Sequence, residues 1–375
     1  MNSITATKWV FFLQPLILGA WFPRIPQVQE ALDLSAGQLA FALIGMPIGL
    51  LSALSFGAKV AEALGTRRLL TVAMLTQCIL LPLPAFAVSG PTLFIALTIS
   101  GLALAMAQLG LNVTASLVEA HADRPIMNGC HGFWSVGVLL GSALGAYSAA
   151  INVAPSTSLV IVAAFTSAPL ILIARQVTDY SVPAQEHSEA ASKRISPTLV
   201  FIALFAFGIA MTEGAMADWS AVYLTDTFMA SAGLAGAGYT VFALFVAAGR
   251  FMGDPLKSRF PVQHLAQAFV ITALVGLALI VFGPSVSFAF LGIAMLGLGV
   301  SLGFPLAVSA VSVLPGRSSA SNVAILTQVT LSGFLVGPPM IGIIADHSSM
   351  RGGLAALAPA LIAAAFFARQ LKARD

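Results

Sequence analysis

Thr198 to Leu224 reads TLVFIALFAFGIAMTEGAMADWSAVYL. A run this long and apolar predicts a membrane-crossing helix, which needs about 20 such residues. Glu213-Gly-Ala-Met-Ala-Asp-Trp219 interrupts it with two carboxylates. At 1.5 Å per residue Glu213 lies roughly 22 Å from Thr198, past the middle of a hydrocarbon core about 30 Å thick. A charge there costs about 2.5–3.5 kcal/mol on insertion scales, and such groups usually mark a pathway. The competing expectation is that Glu213 pairs with a neighbouring helix and holds the bundle together.

The rest of the chain has the same character. Of its 375 residues 58% are hydrophobic and only 8% charged, with a mean hydropathy of +0.96. Soluble domains carry about 25% charged residues, so this composition predicts an all-α integral membrane protein. The pI near 9.1 comes from basic residues in short loops, which membrane topology explains and nucleic-acid binding does not. Cys78 and Cys130 fall at unrelated places in apolar spans, which supports neither a disulfide framework nor a zinc site. No metal or cofactor is expected. Trp9 to Phe22 follows Lys8 like a signal peptide, but without a clear cleavage site it is read as an uncleaved first helix.

Apolar runs predict twelve spans: 9–30, 38–58, 69–88, 91–119, 129–151, 155–175, 198–224, 233–253, 263–283, 285–313, 319–345 and 352–371. Pro23-Arg24-Ile25-Pro26 makes the end of the first one irregular. With both termini cytoplasmic, fifteen of the seventeen Lys and Arg residues fall inside, leaving Arg24 and Arg351 outside. The positive-inside rule predicts such a split. The polar stretch 176–197 is a cytoplasmic linker, dividing a six-helix bundle at 1–175 from another at 198–375. The halves look duplicated. Gly57-x4-Glu62-x4-Arg67 recurs as Gly249-x4-Asp254-x4-Arg259, and Arg124 has its counterpart at Arg317, at offsets of 192 and 193.

At these loops the chain resembles the major facilitator superfamily, whose motif between helices 2 and 3 is Gly-x-x-x-Asp-Arg-x-Gly-Arg-Arg. Here Glu62, Gly65 and Arg67 match it in part, while Ala58, Ala63 and Thr66 depart from it. Trp21-x-x-Arg24-Ile-Pro26, the run from Asn112 through Glu119, Arg124 and His131 to Trp134-Ser135, and Glu213-Gly-x3-Asp218-Trp219-x3-Tyr223 are similar to a poorly characterised bacterial YbjJ-type branch, distantly akin to fucose permeases. The resemblance implies two six-helix bundles around a central cavity that opens alternately to either side. Helices 1, 4, 7 and 10 would line that cavity. It also implies that Glu62 latches the cytoplasmic side shut by capping span 11 near Ser319–Asn322.

The candidate site follows from where polar residues sit. Gln108, Asn112 and Glu119 share one face of span 4. With Gln14, His131, Trp134, Glu213, Trp219, Tyr223 and Gln328, the first two make up the expected substrate cavity. Trp219 and Tyr223 are placed at the outer interface, as an aromatic belt or a platform for a sugar ring. Gln77, alone in span 3, reads as a helix-packing hydrogen bond. The cytoplasmic gate is assigned to Glu62, Arg67, Arg68, Glu119, Arg124, Asp254, Arg259 and Arg317. Glu213 and Asp218 are the proton-coupling candidates, since a carboxylate can cross apolar surroundings neutral and ionise where water reaches it. Asp218 has Arg24 as an alternative ion-pair partner. Gly137, Gly141 and Gly145 in span 5, and Gly333 and Gly337 in span 11, predict close helix contacts.

These features predict a secondary transporter for a small organic solute, coupled to protons and functional as a monomer in a bacterial inner membrane. A Gly-x4-Gly-Lys-Ser/Thr phosphate loop is absent, as are His-Glu-x-x-His and Gly-x-Ser-x-Gly, which argues against ATP drive and against a membrane enzyme. A sensor or scaffold that keeps a transporter fold is the alternative from another class. Within transport, sugar-like uptake and efflux of an apolar compound both stand.

Overall fold

The computed structural model describes residues 2–53, 56–122, 126–179 and 195–371, apart from the side chains of residues 58, 128, 254 and 320. Among them, eleven helices are long and apolar enough to cross a membrane, from Ala36–Ala53 to Met350–Gln370. The first expected span is helical too, but in pieces: Ser3–Leu13, Leu16–Trp21, a 3-10 turn at Phe22–Arg24, and Ile25–Ala31. The irregularity at Pro23–Pro26 was expected; the earlier break at Gln14–Pro15 was not. Proline has no N–H for the residue four before it and its ring crowds that carbonyl. The same cause divides span 2 at Ile44 ahead of Pro47, span 10 at Ser301–Leu302 ahead of Pro305, and span 12 at Ala356–Leu357 ahead of Pro359. Pro169, Pro255, Pro338 and Pro339 are carried inside continuous helices.

The described chain forms two units, one within Met1–Gln185 plus Ala230–Thr240, the other within Glu186–Met229 plus Val241–Asp375. In this division the first turns of span 8 (Ala232–Lys257) pack with the first unit. A Cβ on Gly233 would stand 2.5 Å from that of Ala150, and the Thr240 and Ser142 hydroxyls are hydrogen-bonded at 2.8 Å. Of the expected linker, residues 180–194 lie outside the described residues.

Each unit is built on backbone-to-backbone approach between spans. In the first, span 5 (Met127–Ala150) lies against span 1: a Cβ on Gly137, Gly141 or Gly145 would stand 2.1, 2.1 or 2.5 Å from the carbonyl oxygen of Phe12, Leu16 or Ala20. In the second, span 11 (Ser319–His347) lies against span 7 (Pro197–Phe228), and a Cβ on Gly333 or Gly337 would stand 2.6 or 2.8 Å from Phe207 O or Met211 O. Gly101 faces Met46 O as Gly297 faces Phe242 O. Gly101, Gly137 and Gly141 recur at an offset of 196 as Gly297, Gly333 and Gly337, so the duplication seen in the loops is also present in the packing. Small residues at such contacts are the usual means of helix association in lipid, where apolar side chains gain little by leaving hydrocarbon.

The outer faces are apolar and open. Ile79, Phe86, Phe165, Phe282 and Phe366 are largely exposed, as lipid-facing side chains should be.

Candidate translocation site

In the first unit the break at Pro15 organises a buried polar network. The Gln14 side-chain amide donates to Gln77 Oε1 at 2.7 Å, and Gln77 Nε2 donates back to the Gln14 carbonyl at 2.9 Å. Trp134 Nε1 donates to Gln14 Oε1 at 3.0 Å. Gln77 is therefore the packing hydrogen bond expected of it, and it meets a backbone carbonyl at the point where the helix is interrupted. Gln14, fully buried, belongs to this network rather than to a cavity lining. Trp134 is tied to it through its indole and is half-buried.

Other expected residues of that unit are open. Asn112 is exposed and Gln108 half-buried on span 4 (Gly90–Ala122), and neither makes a hydrogen bond among the described residues. His131 is exposed, its ring edge-on to Phe11 with centroids 5.5 Å apart. Glu119 turns back on its own connection: one carboxylate oxygen accepts from Ile126 N at 2.6 Å and Met127 N at 2.8 Å, capping span 5. A carboxylate on a helix N-terminus is well placed electrostatically. Arg124, between these elements, lies outside the described residues.

The second unit carries charge in its spans. Arg250 Nη2 and Glu213 Oε1 are 3.3 Å apart, with the side chains 26% and 19% exposed. The kink in span 10 explains how they meet. Where Pro305 splits that span into Val286–Val300 and Gly303–Ser312, Gly303 admits Ile209 of span 7, one turn before Glu213. Across the same joint Gly249 of span 8 lies against Ser301, where a Cβ would stand 2.1 Å from its Oγ. Spans 7 and 8 both lean on this joint, and the residues that follow, Glu213 and Arg250, come into contact.

Arg250 lies within span 8, as its expected bounds 233–253 require, nearly two helical turns before the end of a helix that runs on to Lys257. The signal available in sequence was a lone basic residue inside span 8, preceding the Gly-Asp of the repeated loop.

Trp219 and Tyr223 are also corrected. Both are fully buried in the second unit, with Trp219 Nε1 donating to Pro338 O at 3.1 Å and the Tyr223 hydroxyl to Ile280 O at 2.7 Å. Each ring is a packing element whose polar tip finds a carbonyl near a proline or a helix end, so neither forms an interfacial belt or a solute platform. Asp218 is half-buried, and Gln328 on span 11 is exposed.

The two arginines expected outside are likewise pinned. Arg24 is fully buried and donates to the carbonyls of Gly145 and Val153. Arg351 donates to Val281 O and Gly283 O and stacks over Phe228 at 5.5 Å. Each satisfies at least one carbonyl just beyond a helix C-terminus, Val153 O for Arg24 and Gly283 O for Arg351.

Among the gate residues, Glu62, Arg68 and Arg259 are exposed and Arg317 is half-buried, its guanidinium donating to Ser321 Oγ at 2.9 Å. The Asp254 side chain lies outside the described residues. Ser318 caps span 11 by accepting from Ser321 N, and Asn322 donates to Val311 O at 3.1 Å. Arg67 Nε donates to Val177 O at 3.1 Å. Asp179, which sequence reasoning missed, accepts from Arg67 N at 3.1 Å and so caps span 3 (Thr66–Leu80).

Comparison with known proteins agrees with this geometry. The family model of the Major Facilitator Superfamily matches residues 9–332. The chain belongs to this superfamily. It is 28% identical to an uncharacterised MFS-type transporter of Yersinia pestis over 98% of this chain and 96% of that one. It is also 28% identical to the membrane protein MosC of Rhizobium meliloti, over 92% of this chain and 84% of the relative. Among solved structures, the nucleoside transporter NupG superposes with a TM-score of 0.77 at 14% identity, covering 100% of both chains. The E. coli fucose:proton symporter FucP does so with a TM-score of 0.59 at 19% identity, covering 99% and 98%. These two likenesses speak for the fold. A superfamily member with this many spans is an integral transporter of the bacterial inner membrane, not an enzyme.

Proposed function

We propose that this transporter moves a small organic solute by alternating access, driven by a proton that Glu213 binds and releases. The observation that carries the reading is the Glu213–Arg250 contact at 3.3 Å inside two membrane spans, with both side chains still partly exposed. Intramembrane charges are rare, pair with one another, and face protein or water-filled space rather than lipid. A carboxylate that keeps some access to water can exchange a proton, and a neighbouring guanidinium, which stays charged at any working pH, gives its ionised form a partner. Asp218, one to two turns further along the same helix, is the second candidate on this reading.

The solute-facing groups are then Gln108, Asn112, His131 and Gln328. Counting helical rise, Asn112 lies roughly 15 Å from the end of span 4 and Gln328 roughly 14 Å from the start of span 11. Exposed amides at such depth are costly against hydrocarbon, which favours a wet path for both. Glu62, Arg67, Arg68, Arg124, Asp254, Arg259 and Arg317 form the cytoplasmic gate in this proposal. Glu119 contributes to it by holding the connection between spans 4 and 5.

The test is proton uptake or release by purified protein in proteoliposomes as candidate solutes are added, wild type against Glu213→Gln. A solute-dependent proton signal that the variant loses while it still binds the solute supports Glu213 as the coupling group. A signal of wild-type size in the variant transfers the role to Asp218 or His131. For the gate, Glu62→Gln is expected to shift the balance of inward and outward accessibility to thiol labelling; unchanged labelling removes the latch.

A further inference from the structure

The same charge pair bears on the chemistry of the solute, an inference that rests on the proton-coupling reading. We propose that Arg250 is an anion subsite that Glu213 occupies when ionised, so that the transported solute carries a carboxylate or similar single negative charge. Glu213 touches the guanidinium through one oxygen and one nitrogen only, at 3.3 Å, which is longer than a well-formed charge-assisted hydrogen bond. A guanidinium offers five donors in a planar fork suited to a carboxylate. Protonating Glu213 removes one negative charge from beside it, and whatever else Arg250 touches, the potential there becomes more positive by that charge. At low dielectric such a change strongly favours an anion arriving from water.

The charged side chain that meets Glu213 is Arg250, whose own helix carries Asp254 and Lys257 further on. Of the elements packed on span 7, both pieces of span 10 lack ionisable residues. Span 11 carries Asp346 and His347 at its far end, and the basic residues of span 12, Arg351 and Arg369, sit at its two ends. Asp218 is five residues further along span 7 itself. One proton on Glu213 and one anion on Arg250 leave the site with the net charge it had before, so a cycle that carries both across is electroneutral. Transport on this scheme is insensitive to membrane potential and steeply sensitive to a pH gradient.

The experiment follows the thermal unfolding of the purified full-length protein while acetate, the smallest organic carboxylate, is titrated against its neutral isostere acetamide, with ionic strength held by a bulky sulfonate buffer. In Glu213→Gln, acetate is expected to raise the midpoint saturably at neutral pH, acetamide is expected to leave it in place, and the double variant Glu213→Gln/Arg250→Gln to lose the response. Wild type should respond to acetate only as the pH falls, and Arg250→Gln at neither pH; these two measurements decide the matter if Glu213→Gln does not fold. Equal response to acetate and acetamide overturns the subsite, as does an acetate response that survives loss of Arg250. Because proton coupling is read separately from the Glu213→Gln proton signal, an intact coupling result with an acetate-indifferent protein discards the anion subsite alone.

Discussion

The two units share an internal packing plan and differ in what they do with intramembrane polarity. In the first, Gln14, Gln77 and Trp134 close on one another and on the Gln14 backbone carbonyl beside the break at Pro15. Every group in that network is neutral, and the two glutamines are fully buried. In the second, Glu213 and Arg250 meet through a single long contact and stay partly exposed. A neutral network with its hydrogen bonds satisfied gains nothing by opening. A charge pair can be rewritten by one proton, since each partner has a competing ligand in water. The glutamine network thus holds polarity as structure, and the charge pair holds it in a form that can report on its surroundings.

The largest expected effect tests the asymmetry within the charge pair. Breaking a buried ion pair by removing one partner costs about 3–5 kcal/mol, and the partial exposure here lowers that to about 2–4 kcal/mol. Glu213→Gln should destabilise more than Arg250→Gln, because a stranded carboxylate can take up a proton whereas a stranded guanidinium stays charged. Thermal unfolding of the two variants at neutral pH compares them directly; if Arg250→Gln is the worse, the pair is a structural tie like the first unit's network.

Next come the glycine contacts, where the two units are asked the same question. Gly141→Ala places a Cβ 2.1 Å from Leu16 O, and Gly337→Ala places one 2.8 Å from Met211 O. Overpacking costs about 1–3 kcal/mol, so the first should lie near the top of that range and the second near the bottom. Equal losses in unfolding midpoint would mean that span 5 can move off span 1 as readily as span 11 off span 7.

Gln77→Leu should cost about 1–2 kcal/mol by stranding Gln14, with Gln14→Leu/Gln77→Leu recovering part of it. Neither variant should alter the pH dependence of transport. A shifted pH profile would place the amide network in the coupling machinery and erase the contrast between the units. The smallest effect on stability is expected at Asn112→Ala, within about 0.5 kcal/mol, since its side chain makes no described hydrogen bond. Its effect should appear instead in solute affinity, measured as a rise in the half-saturating concentration for uptake.

Membrane insertion, the helical class, the order of the spans and the duplication were legible in the chain itself. They depend on the length of apolar runs, on charge placement in loops and on residue spacing, which lipid and the hydrogen-bonding needs of the backbone turn directly into structure. The partners of the polar side chains were decided only by tertiary packing. Gln14 and Gln108 look alike in sequence, yet one is sealed against Gln77 and the other is left partly open, because Pro15 breaks span 1 where span 3 passes. Trp219 and Tyr223 look like interfacial aromatics, yet spans 11 and 9 offer their polar tips buried carbonyls. Arg250 falls near the end of span 8 in sequence, yet its guanidinium reaches Glu213 of span 7. In each case the deciding contact joins residues tens to more than a hundred positions apart: glycine spacing and prolines mark where helices approach or bend, but which side chains then meet is settled between helices, where no local pattern records it.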